Sequence, residues 1–183
     1  ATQGKAVIEN TDAIIDVNSL SVDESKFKLE SGTSIKDIFI DNEKSVSLGK
    51  NDGQAPSEES PLVLGIDLSK SMRGSKEGIA LASENSIEME QIVIKAPKTS
   101  SNSDASMPEK GSITYVDENG VTKTVEFNEN SNEARSKGSN GDIVIDLGTQ
   151  VAVKQISINV TANRGNKNIS EIAKIEFLNN VYK

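Results

Sequence analysis

A carboxylate followed at short intervals by two hydroxyls stands at the end of an apolar run, in Asp67, Ser69 and Ser71. The run before it, residues 62–68, has the continuous apolar character of a strand buried on both faces. Carboxylate and hydroxyl oxygens are ligands of hard cations. This spacing therefore makes a metal-dependent site one hypothesis for the function.

A second oxygen-rich set follows the apolar patch at residues 35–40. Asp41, Asn42 and Glu43 form a polar turn, and Ser45 comes shortly after them. Asp and Asn favour turns because their side chains hydrogen-bond to the backbone. Carboxylate and hydroxyl oxygens are also the ligands that calcium prefers, so this turn is a candidate for a calcium site.

The Asp67-x-Ser69-x-Ser71 spacing resembles the metal site of von Willebrand type A domains. That fold needs a long amphipathic helix directly after the strand and several further strand–helix units, and no such helical pattern emerges here. We therefore interpret the segment as a strand end, with Ser69 and Ser71 in a solvated turn. A metal-dependent protein adhesin remains the alternative.

Composition excludes several classes of function. The chain has 183 residues, which suits one domain, and it carries no Cys, no His and a net charge of −8. Without His or Cys, zinc and copper sites and Ser–His or Cys–His nucleophiles are excluded. The acidic balance argues against nucleic acid, whose phosphates need clustered Lys and Arg. No apolar run approaches the length of a membrane span.

Short alternating segments separated by turns predict an all-β fold. Residues 141–160 are predicted as two strands joined by a Leu-Gly-Thr-Gln turn, that is, a hairpin. Asn119 and Gly120 between two alternating runs predict a second hairpin, because both residues tolerate positive φ. Residues 169–178 are predicted as one closing strand, with Ile175 and Phe177 on the same side.

Two of these segments resemble the discoidin, or galactose-binding-like, family. Residues 141–148, which end in Asp-Leu-Gly, are followed by the valine- and isoleucine-rich run 153–158, and residues 170–178 are similar to the family's closing strand. The family includes coagulation-factor C-type domains and family-32-like carbohydrate-binding modules. The resemblance implies a galactose-binding-like jelly-roll β-sandwich of antiparallel strands. We assign this domain to residues 34–183 and predict that residues 1–33 are a lead-in packed on the sandwich.

The resemblance also implies a structural calcium ion, which in the family ties an acidic turn to the closing strand. Two departures weaken the match: Asn42 replaces the usual Gly, and Lys174 stands where the family often has Glu. The oxygen ligands that this chain offers at the matching positions are Asp41, Glu43, Ser45, Glu171 and Glu176.

Family members commonly bind sugars or cell surfaces through loops at one end of the sandwich. Sugar recognition often uses an aromatic platform, but this chain has no Trp, and Tyr115 and Phe127 fall within predicted strands. The loop candidates for ligand contact are therefore polar: Arg73, Lys76, Asn132, Arg135 and Arg164.

The predicted function is a non-catalytic accessory module that binds a carbohydrate or a cell surface. Its parent is expected to be a large secreted or wall-attached bacterial protein, such as a glycoside hydrolase. The expected partners are a glycan and the neighbouring domains of the parent. A purely structural spacer domain is the second alternative. An enzyme with paired carboxylates is rejected, because no two acidic residues pair convincingly in the sequence.

Overall fold

The computed structural model describes residues 7–12, 20–31, 34–40, 45–69, 86–95, 107–128 and 142–182. These residues form eleven strands and three short 3₁₀ helices, at Glu24–Lys26, Ile35–Phe39 and Arg164–Asn166. The strands are β1 (Val7–Asp12), β2 (Ser21–Val22), β3 (Lys28–Ser31), β4 (Val46–Gly49), β5 (Leu62–Asp67), β6 (Ile87–Lys95), β7 (Pro108–Asp117), β8 (Thr122–Asn128), β9 (Ile143–Asn163), β10 (Ile169–Ile172) and β11 (Lys174–Tyr182).

All strand pairs in the described residues are antiparallel, and they form two sheets. The larger sheet has the order β1-β11-β6-β9-β5-β2, and β7 pairs with both β9 and β8. The smaller sheet has the order β10-β4-β3. The predicted all-β class with antiparallel strands is confirmed.

Strand β9 joins the two parts of the larger sheet. Its first half pairs with β6, and its second half pairs with β5 and β7. The predicted hairpin at residues 141–160 is therefore wrong, because the two halves continue along one strand. The Leu-Gly-Thr-Gln segment is instead an excursion between Asp146 and Val151, with Gly148 at φ +85°. The Asp146 Oδ1 atom accepts the Gly148 N–H at 2.7 Å, which gives this aspartate a structural role in the excursion.

The predicted closing strand is two strands in different sheets. β10 pairs with β4, β11 pairs with β6, and Ala173 lies between them. Alternation alone could not show this change of sheet, because both strands bury residues of the same type. Ile175 and Phe177 do point to the core, as expected.

The hairpin at Asn119-Gly120 is confirmed, in a different form. The Gly120 N–H donates to the Asp117 carbonyl at 3.0 Å, and Gly120 has φ +81°. Among the described residues other than glycine, only Asn166 has positive φ, so Asn119 does not adopt the left-handed conformation. The Asp117 carboxylate accepts the N–H groups of Asn119 and Val121, which fixes a three-residue loop instead.

Alternate residues of β5, β7 and β9 fill the core. Leu62, Leu64 and Ile66 of β5 are buried, whereas Val63, Gly65 and Asp67 are only half-buried. The expectation that β5 is buried on both faces is therefore wrong. One face of this part of the sheet packs inward, and the other presents its side chains outward.

The first strands belong to the same sheets as the rest of the described chain. β1 pairs with β11, β2 with β5 and β3 with β4. The boundary drawn between residues 33 and 34 stays a prediction. No helix in the described part of the chain is long and apolar enough to cross a membrane.

Candidate functional site

A groove of about 350 Å³ opens on the outward face formed by β2, β5, β9 and β7. The outward face of a sheet is ordinarily flat. Here the 23–26 segment lies beside β5 and forms a wall of the groove. Its lining combines polar and charged side chains with a slightly larger apolar surface: Ser21, Val22, Asp23, Lys26, Gly65, Ile66, Asp67, Thr114, Val116, Gln155, Ile156 and Ser157.

Strand register places the residues of the groove in rows across the sheet. Gly65, Ser157 and Thr114 are direct neighbours on β5, β9 and β7. Asp67 and Gln155 are neighbours in the next row. Residues that are far apart in sequence therefore present one glycine, two hydroxyls, a carboxylate and an amide to the same space.

One wall of the groove is built by the segment after β2. The Asp23 N–H donates to the Gly65 carbonyl at 2.9 Å, which holds this segment against β5. Hydrogen bonds from the Ser25 hydroxyl and backbone N–H, and then the charge of Lys26, lower the pKa of the Asp23 carboxyl below its ordinary value. The Lys26 Nζ atom lies 4.0 Å from the Asp23 Oδ2 atom. This wall therefore carries a firmly ionised carboxylate beside an ammonium group.

Asp67 also lines the groove. Its Oδ1 atom accepts the Ser69 N–H at 2.9 Å, which is the strand-end turn preferred in the sequence analysis over a metal site. β5 has antiparallel neighbours on both sides, unlike the central strand of a parallel strand–helix fold. Ser71 lies outside the described residues.

A strip of polar side chains continues along β9 beyond the groove. Ser157 Oγ donates to Asn159 Oδ1 at 3.0 Å, and Asn159 Nδ2 lies 3.4 Å from Ser112 Oγ. The strip leads to a second groove of about 450 Å³, beside the ion pair of Lys110 with Glu58 at 3.0 Å. One outward face thus carries two grooves connected by hydroxyl and amide groups.

The predicted calcium ligands are described only in part. Ser45 is half-buried directly before β4, and Glu171 lies on β10 opposite Ser47. Glu176 lies on β11, where its carboxylate is 3.4 Å from the ammonium groups of both Lys95 and Lys174. Asp41 and Glu43 are outside the described residues. Within the described ranges, no three carboxylates converge on a metal-sized site.

Of the five predicted ligand-contact residues, the structure describes one. Arg164 is half-buried in the turn after β9, and its backbone N–H donates to the Met107 carbonyl at 2.9 Å. It does not line either groove. The other four, Arg73, Lys76, Asn132 and Arg135, lie outside the described residues, so their role as ligand contacts stays a prediction.

The aromatic side chains that the structure describes belong to the core. Each of them has no more than 5% of its surface exposed, and they are Phe27, Phe39, Tyr115, Phe127 and Phe177. None of these rings can serve as a stacking platform for a sugar. A ligand of the groove would instead meet its polar groups and its aliphatic surface.

Sequence reasoning did not find the groove, although one signal pointed to it. An isolated glycine inside a strand often marks a place where another group approaches closely. Gly65 is such a residue, in the middle of the apolar run 62–67. Its partners Ser157 and Thr114 are unremarkable residue types, and only the register of three strands brings them together.

No protein-family model and no curated protein matches the sequence. Solved structures do match the fold. A family 32 carbohydrate-binding module from C. perfringens NanJ, solved in complex with galactose, has a TM-score of 0.57 at 14% identity, over 92% of this chain and 100% of that one. CBM32-1 from a family 31 glycoside hydrolase of Clostridium perfringens has a TM-score of 0.53 at 12% identity, over 91% of this chain and 96% of that one. A SusE-like protein has a TM-score of 0.54 at 8% identity, over 94% of this chain and 67% of that one.

These similarities establish the architecture. The chain has the discoidin, galactose-binding-like β-sandwich fold, as the resemblance in residues 141–158 and 170–178 predicts. At such low identity, the comparison transfers the fold and does not transfer individual binding residues.

Proposed function

We propose that this domain is a non-catalytic carbohydrate-binding module. The observation that carries the proposal is the match over nearly the whole length of both chains to a family 32 module solved in complex with galactose. The polar groove between β2 and β7 adds support, since it offers hydroxyl, amide and carboxylate groups to a ligand rich in hydroxyls.

The proposed setting is a larger secreted or wall-attached protein, in which the module holds a catalytic domain near its substrate. A similar module with a TM-score of 0.53 comes from a glycoside hydrolase, which supports this setting. The proposed partners are a glycan and the neighbouring domains of the parent chain. Hydrolysis would then be the work of another domain.

A calcium ion with a structural role is a second part of the proposal. Glu171 and Ser45 fit it, because the register places Glu171 opposite Ser47, two residues from Ser45. Glu176 fits it poorly, because two ammonium groups already neutralise its charge. We expect millimolar calcium to raise the thermal unfolding midpoint of the wild type and to leave that of Asp41→Ala unchanged. An equal rise with magnesium, or no rise with calcium, would contradict the assignment.

A glycan array followed by isothermal titration calorimetry tests the proposed function. We expect binding to galactose-containing oligosaccharides with a dissociation constant on the order of 1 mM, because no described aromatic ring is exposed. Glycans without galactose serve as the control ligands. Binding to no glycan on the array would overturn the proposal and would favour the structural spacer.

A further inference from the structure

We propose that the groove between β2 and β7 binds a neutral glycan chain from the side, with the chain lying along β9. This inference rests on the proposed function and adds to it the place of binding and the class of glycan. It puts the ligand on the outward face of the sheet, whereas the sequence predicts ligand contacts at Arg73, Lys76, Asn132 and Arg135.

The hydrogen-bonding groups of the groove match those of a sugar. Sugar hydroxyls both donate and accept, so they need partners of both kinds. Among the described residues, none hydrogen-bonds to the side chain of Gln155 or donates to the Oδ2 atom of Asp67. The amide of Gln155 can donate and accept, and the Asp67 carboxylate accepts. These two groups are neighbours in the strand register.

The shape of the groove depends on Gly65. Its φ is not positive, so the backbone at this position does not require glycine. A Cβ placed there would meet only the Asp23 Cβ within 4 Å, at an ordinary contact distance of 3.6 Å. A larger side chain would extend into the groove between Asp23 and Ser157. The absence of a side chain at Gly65 thus leaves room for a ligand, and packing does not demand it.

The charges of the groove select against acidic glycans. The charged residues that line the groove are two carboxylates, Asp23 and Asp67, and one ammonium group, Lys26, and the whole chain carries a net charge of −8. A uronic-acid or sulfated sugar would be repelled by both carboxylates, because like charges a few ångströms apart disfavour binding. A neutral sugar instead gains charge-assisted hydrogen bonds to them.

The polar strip on β9 gives the site its length. From Gln155 to Thr161 the strand advances six residues, which is about 20 Å at 3.3 Å per residue. Asn159 and Ser112 continue the hydroxyl and amide surface between the first groove and the second. This length fits several sugar rings in a row and exceeds what one monosaccharide needs.

An extended peptide fits the same face less well. Peptides that bind to sheets use the unpaired backbone groups of an edge strand. β9 lies between β5 and β7, β7 lies between β8 and β9, and β2 with Asp23 covers residues 65–67 of β5, so the backbone groups beneath the groove are already paired. Only side chains are available on this face, and their hydroxyl, amide and carboxylate groups suit a glycan.

Calorimetric titration of three variants with a neutral galacto-oligosaccharide tests the inference. We expect Gly65→Val to weaken binding at least about tenfold, since it fills the groove, and Gly65→Ala to weaken it less. Gln155→Ala should weaken binding by about fivefold, the usual value of one or two neutral hydrogen bonds. Gln54→Ala is the matched control, because Gln54 is an exposed glutamine in the loop before β5, away from the groove.

Each outcome decides between the two proposals. If the Arg73→Ala/Lys76→Ala/Asn132→Ala/Arg135→Ala variant loses binding while Gly65→Val and Gln155→Ala bind like wild type, the inference fails and the proposed function stands. If the wild type binds no glycan, both fail. Tighter binding of an oligogalacturonate than of the neutral chain would overturn the charge argument. Thermal unfolding of each variant shows whether it folds. If Gly65→Val does not fold, the binding of Gln155→Ala still decides the test.

Discussion

Two regions on the outward side of the larger sheet differ in how their polar side chains are paired. On the β6–β11 face, the Glu176 carboxylate lies 3.4 Å from both Lys95 and Lys174, and the Glu176 side chain is only 16% exposed. On the β5–β9–β7 face, Asp67 and Gln155 border an open groove. On the β6–β11 face, the Glu176 carboxylate is therefore paired with ammonium groups of the protein itself. The β5–β9–β7 face has kept polar groups available, which is what a binding surface requires.

This difference separates groups that stabilise the fold from groups that serve a ligand. A buried charge must be paired, since removing one partner leaves the other desolvated and uncompensated. Hydroxyl and amide groups at an open groove are solvated by water, so their removal costs little stability. Substitutions on the two faces should therefore separate into those that change unfolding and those that change binding.

The largest effect is expected from a pair of glycines in this sheet. A Cβ on Gly111, which is buried on β7, would lie 2.0 Å from the Asn159 carbonyl oxygen, whereas one on Gly65 meets no close contact. We expect Gly111→Ala to lower the free energy of unfolding by about 3 kcal/mol, because the methyl group displaces the backbone of β9. Gly65→Ala should change it by less than about 0.5 kcal/mol. Urea denaturation measures both, and equal effects would contradict the view that Gly65 leaves space for a ligand.

A smaller effect on the free energy of unfolding is expected from the β6–β11 face. Glu176→Gln removes the carboxylate that lies 3.4 Å from the ammonium group of Lys174, whose side chain is 11% exposed. We expect a loss of about 2 kcal/mol in the free energy of unfolding, as for other partly buried charged pairs. Glu58→Gln is the matched control, since Glu58 and Lys110 are 75% and 54% exposed. Its loss should stay below about 0.5 kcal/mol. Similar losses for the two variants would mean that the β6–β11 face is not stabilised by its charges.

The smallest effect concerns acid stability at the wall of the groove. The pKa of Asp23 is lowered from 3.8, mainly by the hydrogen bonds from Ser25. A lowered pKa in the folded state stabilises the fold above the unfolded value and loses that contribution as the pH falls through the folded value. Below pH 3.8 the thermal midpoint of wild type should therefore fall more steeply than that of Asp23→Asn. Gln54→Ala should follow the wild-type curve. Parallel curves for wild type and Asp23→Asn would contradict the role of these hydrogen bonds.

Local patterns predicted the elements better than their pairing. Alternation located the β7–β8 hairpin, because it reflects which side of each strand is buried. It could not show that residues 143–163 form one long strand, since a four-residue excursion at Gly148 looks like a hairpin turn in sequence. Pairing depends on distant neighbours, and one-dimensional patterns do not record them.

The acidic residues show a related limit. Five aspartates accept the backbone N–H two residues further on and so fix turns at strand ends or in loops: Asp23, Asp52, Asp67, Asp117 and Asp146. The same residue type at the same kind of position can also bind a metal ion, so sequence alone left both interpretations open for Asp67. In the structure, the Asp67 Oδ1 atom forms such a turn with the Ser69 N–H. The groove itself was not predicted, because it needs the register of β5, β7 and β9.

Mapping of amide chemical shifts by nuclear magnetic resonance, during titration with a neutral galacto-oligosaccharide, tests the central claim most directly. The account predicts that the largest shifts fall on Gly65, Asp67, Thr114, Gln155 and Ser157, with smaller shifts along β9 towards Thr161. The amide chemical shifts of residues around Lys95 and Glu176 on the β6–β11 face should not change. Shifts confined to residues 70–85 and 129–141, or shifts outside the groove altogether, would contradict it.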